Sequence, residues 1–435
     1  MATAVTASVL HGPHDLRIVH FPPFSHPLCY YRTSLTALQD SRALQPPAPL
    51  ELQTAIRSTT LCGSDLHYYT HYAIGSTPVL EPLTLGHESA GIVTAVGGAV
   101  LASDFAIGDR VALEVGVPCE QTDDEEGCAR CKEGRYNLCP RMRFRSSARG
   151  GLPHLQGTLQ ERVNHLARWC HKYSTSPFIP LSNALTPDRL PDTVSLDLGA
   201  LIEPLSVALH AANRAFSSSP PSRVRYDGGP NILIIGAGPI GLLIAAVCRA
   251  RGKHNINMTD TQQARLSFAF ANDFAVYTSF FPTTDHSPST VEERLRDAEE
   301  RAASVRDGLR FDVVFECTGA ESATQMALYA AESGGKVVLV GIGTSMQALP
   351  IPANVLMREV DVVGTFRYAG EYTEAIKMLA GKDEESSDFR EKVEMLITHR
   401  FHGLEGIKDA FETARGTKGE GGVVMKVLVE LPGDK

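Results

Sequence analysis

The stretch Asn231-Ile232-Leu233-Ile234-Ile235-Gly236-Ala237-Gly238-Pro239-Ile240-Gly241 decides the fold of this chain. Its first five residues form a continuous apolar run, the pattern of a strand buried on both faces in a parallel sheet. A G-x-G-x-x-G loop follows, built on Gly236, Gly238 and Gly241, and Ile240 to Arg251 continues as an apolar helix. The loop alone is a weak signal, but a strand before it and a helix after it give it a mechanism. Its glycines permit a tight turn and the close approach of a pyrophosphate, which then lies at a helix N-terminus. The next strand, Ile256 to Asp260, ends on a carboxylate about 20 residues past the loop, where it can accept hydrogen bonds from a dinucleotide's ribose hydroxyls. Asp260 would repel a 2′-phosphate, so NAD is expected rather than NADP. Two more buried strands, Phe311 to Gly319 and Lys336 to Gly341, each end in glycine. Ligands of such sheets bind beyond the carboxyl ends of the strands, which places Val340, Gly341 and Ile342 beside the nicotinamide. The charged segment between Val291 and Gly308 reads as a solvated helix laced with i,i+4 pairs.

Upstream of a polar linker, Ser217 to Gly229, the texture changes to short, glycine-punctuated strands. Thr6 to Leu10 and Asp15 to Val19 read as strands joined at Gly12-Pro13. From His20 to Pro49 six prolines and no clear period mark an irregular insertion, and the strands that flank it read as one interrupted pair. Strand patterns continue from Ala90 to Gly98 and from Gly108 to Leu113, and Leu198 to Ala215 reads as a helix carrying Glu203. The last section, with a helix at Glu371 to Ala380 and a strand at Val423 to Leu431, is too short to fold alone and is expected to complete the first domain.

The β-rich part also carries metal chemistry. Leu61-Cys62-Gly63-Ser64-Asp65 and Gly86-His87-Glu88 bring a thiol, an imidazole and a carboxylate into a short stretch, the donor types that hold a catalytic zinc with one position open. Cys119, Cys128, Cys131 and Cys139, spaced C-x8-C-x2-C-x7-C, can close four thiolates around one structural zinc.

Composition sets the bounds. A chain of 435 residues with 43% hydrophobic content can bury a full core and divide into about two or three domains. No run approaches the ~18 consecutive apolar residues of a membrane helix, and Met1 to Leu10 lacks a signal pattern, so a cytoplasmic protein is expected. A net charge of −9 argues against nucleic acid or an anionic membrane as partner. In a reducing compartment the clustered cysteines read as metal ligands rather than disulfides.

Taken in order, Leu61 to Tyr69, Gly86-His87-Glu88, Gly116-Val117-Pro118-Cys119, Cys131 to Cys139, Glu203-Pro204-Leu205-Ser206-Val207, the glycine loop and Thr365-Phe366-Arg367-Tyr368 resemble the zinc-dependent medium-chain dehydrogenase/reductase family. Within it they are similar to the polyol (sorbitol, xylitol, arabinitol) dehydrogenases. The resemblance implies an α/β architecture in which a Rossmann doubly wound parallel sheet, 205–366, is inserted in a GroES-like β-rich catalytic domain, 1–204 and 367–435, with a structural-zinc lobe at 116–140. It also implies oxidation of a polyol to the ketose with hydride transfer to NAD, and a homotetramer.

Residue by residue, the resemblance makes Cys62, His87 and Glu88 the catalytic zinc ligands and Glu203 a carboxylate near the metal, where alcohol dehydrogenases place a third cysteine. Ser64 matches the hydroxyl that relays the alcohol proton, and His67 passes it to solvent. Tyr68, Glu203, Arg367 and Tyr368 match polyol-contacting positions; Ile240, Asp260 and Arg265 match NAD contacts. The chain departs from the family pattern at two places, an insertion of roughly His20 to Ser41 and added residues between Cys119 and Cys128. The first is either a tolerated surface loop or translated intron sequence. The alternatives in function are an alcohol or threonine dehydrogenase of the same family, or a catalytically silent NAD- and zinc-binding protein.

Overall fold

A computed structural model describes residues 5–21, 44–119, 127–172, 194–216, 229–282, 290–305, 309–344, 346–417 and 422–433. The main part of the insertion after Phe21, the residues added before Cys128 and the linker after Phe216 therefore lie outside the described residues. The chain divides into two compact units, 1–203 with 372–382 and 394–435, and 204–371 with 383–393.

The first unit is organised around the strand Glu51–Thr60. It is buried along almost its whole length, only Glu51 and Arg57 being partly exposed. One edge pairs antiparallel with Glu88–Val96. The other is shared by Arg162–Leu166 and the C-terminal strand Lys426–Glu430. Together with Arg110–Leu113, Cys170–His171 and Ile397–His402 these make a seven-stranded sheet. The expected hairpin forms, Val5–Gly12 against Asp15–Phe21, but in a separate three-stranded sheet. The expectation that the strands flanking the insertion pair with each other is thus incorrect. Both edges of Glu51–Thr60 are taken by other strands, and Asp15–Phe21 is a half-exposed strand that finds its partner across a tight turn.

The C-terminal return is held in this unit by Glu412. Its carboxylate accepts from Tyr69 Oη at 2.7 Å, Thr417 Oγ1 at 2.5 Å and Arg415 Nη1 at 2.9 Å. The Tyr69 ring, fully buried, lies 4.9 Å from that of Phe411.

The second unit holds a six-stranded sheet in the order Tyr277–Phe280, Ile256–Asp260, Ile232–Ile235, Phe311–Glu316, Ala331–Leu339, Asp361–Gly364, every neighbour parallel. Chain order reverses between Ile232–Ile235 and Phe311–Glu316, and such a switch point opens a crevice at the carboxyl ends of the strands. The glycine loop sits there, between Ile235 and the helix Pro239–Ala250. Gly241 is obligatory, because a Cβ on it would stand 2.0 Å from the Gly236 carbonyl oxygen. The charged segment forms the helix Val291–Ser304, started by a reciprocal cap between Thr290 and Glu293. The helix Glu384–Glu394 also packs in this unit, with Lys392 Nζ donating to the Asn272 carbonyl at 3.1 Å. No helix among the described residues is long and apolar enough to cross a membrane.

The hydrogen bonds from Thr417 and Tyr69, with the Arg415 charge, hold the Glu412 carboxyl down at about 2, against an ordinary 4.5. A depressed carboxylate pKa adds stability that is complete above the unfolded value and is lost as pH falls through the folded one. Glu412→Gln is expected to destabilise the protein by about 1–2 kcal/mol at neutral pH, the range for charge-assisted bonds that are partly screened. Thermal unfolding of both proteins should show the gap in midpoint closing as pH is lowered from about 4.5 toward 2.

Candidate active site

Cys62 stands at the start of the helix Gly63–His71, in extended backbone, so that its sulfur faces the positive end of the helix dipole. His87 and Glu88 follow Gly86, whose φ of +89° and close approach to Leu159 admit no side chain. Glu88 then begins the strand Glu88–Val96, which lies beside Glu51–Thr60. The two segments are joined by Asp65, which is fully buried. Its carboxylate accepts from Cys62 N at 3.2 Å and Gly86 N at 3.0 Å, and lies 3.3 Å from His87 Nδ1. Ser146 Oγ is also bonded to Nδ1, at 2.8 Å. With Nδ1 engaged, the other ring nitrogen, Nε2, faces Ser64 Oγ at 3.3 Å.

The result is a group in which one donor atom each from Cys62, His87 and Glu88 lies within 4.8 Å of the others. Glu203, 5% exposed, is not a member of it. Glu88 is held by Thr60 Oγ1 and by Lys426 Nζ, which lies 2.5 Å from each carboxylate oxygen and also donates to Leu61 O at 3.2 Å. Burial disfavours the Lys426 ammonium, yet Glu88, Cys62 and Glu203 outweigh that and raise its pKa. Burial likewise disfavours the His87 imidazolium, and the Asp65 carboxylate with the Cys62 sulfur raises its pKa well above the ordinary value. Asp65 is opposed by burial too, but His87 and the two backbone N–H groups keep its pKa below the usual range. A soft thiolate, an imidazole with its far nitrogen bonded to a carboxylate, and a second carboxylate form a donor set that suits zinc.

The four cysteines converge as well. Their sulfurs all lie within 4.8 Å of one another. The separations Cys119–Cys131 and Cys128–Cys131 are 3.8 and 3.6 Å. Zinc–sulfur bonds of about 2.3 Å give a tetrahedron with edges of about 3.8 Å, which these two separations match. Backbone N–H groups of Cys128 and Cys119 donate to Cys119 Sγ and Cys139 Sγ. The residues added before Cys128 do not prevent the convergence.

The other expected residues divide between the units. Tyr68 is buried, its hydroxyl accepting from Ala148 N at 3.0 Å beside Ser147 Oγ at 3.4 Å. His67 is exposed on the same helix, 6.0 Å from the His71 ring. In the second unit Asp260 Oδ2 accepts from Ala237 N and Oδ1 from Gln262 N, both at 2.7 Å, so the carboxylate braces the glycine loop from within the crevice. Arg265 reaches Gly238, where a Cβ would meet its Nη1 at 3.5 Å, and its buried Nε has no hydrogen-bond partner among the described residues. A buried, unsatisfied guanidinium nitrogen beside a glycine loop fits an anionic pyrophosphate. Ile240 is the second residue of the helix after the loop. Val340 N and Gly341 N donate to the Glu316 carbonyl at 2.8 and 3.0 Å, and Ile342, three residues past the strand Ala331–Leu339, is 73% exposed. Arg367, at a φ of +53°, lies with its guanidinium 4.9 Å from the Phe366 ring, and Tyr368 is buried.

Asp65, Ser146 and Lys426 were not singled out from the sequence. Asp65 had a signal, since a carboxylate three residues after a helix cap reaches back to the cap N–H. For Lys426 the signal is a lone charge inside an apolar strand, which requires a buried partner.

Comparisons with known proteins agree with this geometry. Residues 48–175 match the model of the alcohol dehydrogenase GroES-like domain, and residues 239–381 that of the zinc-binding dehydrogenases. The chain is 35% identical over 430 residues to sorbitol dehydrogenase of Bos taurus, covering 98% of this chain and 96% of that protein. Sorbitol dehydrogenase of Homo sapiens gives the same identity and coverage. Among solved structures, an Escherichia coli oxidoreductase/dehydrogenase of unknown specificity superposes with a TM-score of 0.73 at 26% identity, covering 99% of this chain and 100% of that one. The chain belongs to the zinc-dependent medium-chain dehydrogenase/reductase family, in its polyol dehydrogenase-like branch, and is an oxidoreductase.

Removing one member of a buried ion pair leaves an uncompensated charge, at a cost of about 3–5 kcal/mol. Lys426→Met is therefore expected to lower the thermal midpoint measured in the presence of a zinc chelator. The loss should be smaller in zinc-loaded protein, because a metal held by Glu88 would supply positive charge to the same carboxylate.

Proposed function

We propose that this chain oxidises a secondary hydroxyl of a polyol of the sorbitol, xylitol or arabinitol class to the ketose, passing hydride to NAD, with one catalytic and one structural zinc per chain. The convergence of Cys62, His87 and Glu88 beside Ser64 carries the reading. The full-length similarity to sorbitol dehydrogenases supports the substrate class. Bound zinc supplies Lewis-acid polarisation of the hydroxyl, and the nicotinamide supplies the hydride acceptor.

The remaining work falls to the protein. Cys62, His87 and Glu88 would hold the metal, and Asp65 keeps the His87 ring turned so that Nε2 is on the side of Ser64 Oγ. Ser64 Oγ takes the proton from the substrate hydroxyl, and exposed His67 passes it to solvent. Tyr68, Glu203, Arg367 and Tyr368 are the residues proposed to bind neighbouring hydroxyls. Such a site rejects simple alcohols, because they leave its buried polar groups unpaired. Cys119, Cys128, Cys131 and Cys139 hold the structural zinc. Gly236, Gly238, Ile240, Gly241 and Arg265 hold the pyrophosphate, Asp260 the ribose, and Val340 to Ile342 the nicotinamide. The working form is a cytoplasmic homotetramer.

The direct test is NADH formation from sorbitol, xylitol, arabinitol, ethanol and threonine, with zinc counted on the same sample. Polyols should exceed ethanol and threonine, and Cys62→Ala should abolish activity and lose one zinc of two. Greater activity on ethanol or threonine would overturn the polyol reading, and no activity on any substrate would overturn the enzymatic one. In a second assay, Asp260→Ala should lower the preference for NAD over NADP in kcat/KM by at least about tenfold, the factor given by 1.4 kcal/mol of lost discrimination.

A further inference from the structure

The segment Phe144-Arg145-Ser146 touches the candidate metal site at His87, and none of its residues matches a ligand or a substrate position in the reading above. Ser146 is 3% exposed and occupies a φ of +59°, a conformation that costs a residue with a Cβ energy and persists only where its surroundings enforce it. The surroundings do enforce it. Ser146 N donates to Leu155 O at 3.0 Å, and Arg145 N to Val115 O at 3.2 Å. The Arg145 guanidinium, itself buried, donates to Gln156 O at 2.9 Å, to Asn164 O and, through Nε, to His165 Nδ1 at 3.3 Å. His165 in turn is bonded to the Glu114 carbonyl at 2.9 Å.

This framework delivers two contacts to one imidazole. The Phe144 ring meets the His87 ring edge-on, centroids 5.6 Å apart at 61°, and the Ser146 hydroxyl lies 2.8 Å from His87 Nδ1. The hydroxyl is nearer to Nδ1 than Asp65 Oδ1, which is at 3.3 Å and also serves Gly86 N. A single N–H shared by a carboxylate on one side and a hydroxyl on the other cannot turn toward either without losing the second bond. The ring plane, and with it the direction of the Nε2 lone pair, is then fixed from two sides.

We propose that Ser146 is a positioning residue for the catalytic metal: its hydroxyl, held at a left-handed backbone position by the Arg145 framework, shares the His87 Nδ1 proton with Asp65 and aims Nε2 at the zinc. The proposal rests on the reading of Cys62, His87 and Glu88 as the catalytic zinc site. Outer partners of metal-bound histidines typically contribute about 10–100-fold in metal affinity.

The experiment is zinc affinity measured by competition with a graded series of chelators on the full-length protein, with the four-cysteine zinc as reference within the same molecule. Ser146→Gly separates hydroxyl from backbone, because glycine accepts the positive φ freely while removing Oγ. Ser146→Gly and Ser146→Ala are both expected to weaken the more labile zinc by about tenfold or more, leaving the four-cysteine zinc unchanged and, for the glycine variant, the thermal midpoint undiminished. A Ser146→Gly protein that binds both zincs as tightly as the parent would overturn the proposal and leave Ser146 a backbone device only. Cys62→Ala, run alongside, distinguishes the other failure: if it kept both zincs, the underlying site assignment would be wrong, whatever Ser146 does.

Discussion

One buried carboxylate makes the rest of the site possible. Cys62 and His87 are carried by separate segments, a helix start and a turn before a strand, and neither segment has a local reason to face the other. Asp65 ties them by accepting from Cys62 N and Gly86 N and pairing with His87 Nδ1, all from a position with no solvent exposure. A carboxylate buried to that degree survives only because every one of its partners is supplied by the two segments it joins. Orientation of His87 Nε2 toward Ser64 Oγ is a by-product of the same bonds.

The second constraint is charge. Glu88 is as deeply buried as Asp65, and its counter-ion arrives from the far end of the chain, as Lys426 in the strand Lys426–Glu430. That strand adds to Glu51–Thr60, whose last residue, Thr60, is the other partner of Glu88. The sheet therefore does more than provide a core: it brings an N-terminal hydroxyl and a C-terminal ammonium to one carboxylate. This accounts for the return of the C-terminal strand to the first unit, with Glu412 fastening the preceding helix to Tyr69. In the second unit an analogous economy holds, since Asp260 braces the glycine loop through Ala237 N with one oxygen and Gln262 N with the other.

What could be read from the sequence was whatever is encoded locally. The run Ile232 to Ile235, the glycine loop and the following helix declare themselves by apolar pattern and turn chemistry within a dozen or so residues, and the doubly wound parallel sheet follows from them. The four cysteines are legible because their spacing is a ligand pattern, even with residues added between the first two. Cys62, His87 and Glu88 are legible as donor types, although only the geometry separates Glu88, inside the group, from Glu203, outside it. Long-range pairing was not legible. The strands around the insertion were assigned to each other because they are neighbours in sequence, whereas Glu51–Thr60 satisfies its edges with strands beginning at Glu88, Arg162 and Lys426. Lys426 and Ser146 carry no local signal of their contacts for the same reason, since their partners are 338 and 59 residues away.

We propose that two separate donor groups, one of mixed ligands and one of four sulfurs, each hold a zinc ion. Anomalous diffraction at the zinc absorption edge, from crystals grown without a chelator, tests it most directly. Two peaks per chain are predicted, one among Cys119, Cys128, Cys131 and Cys139 and one bounded by Cys62 Sγ, His87 Nε2 and the Glu88 carboxylate. A fully occupied peak at the four cysteines, with none beside Cys62 and His87, would contradict the account.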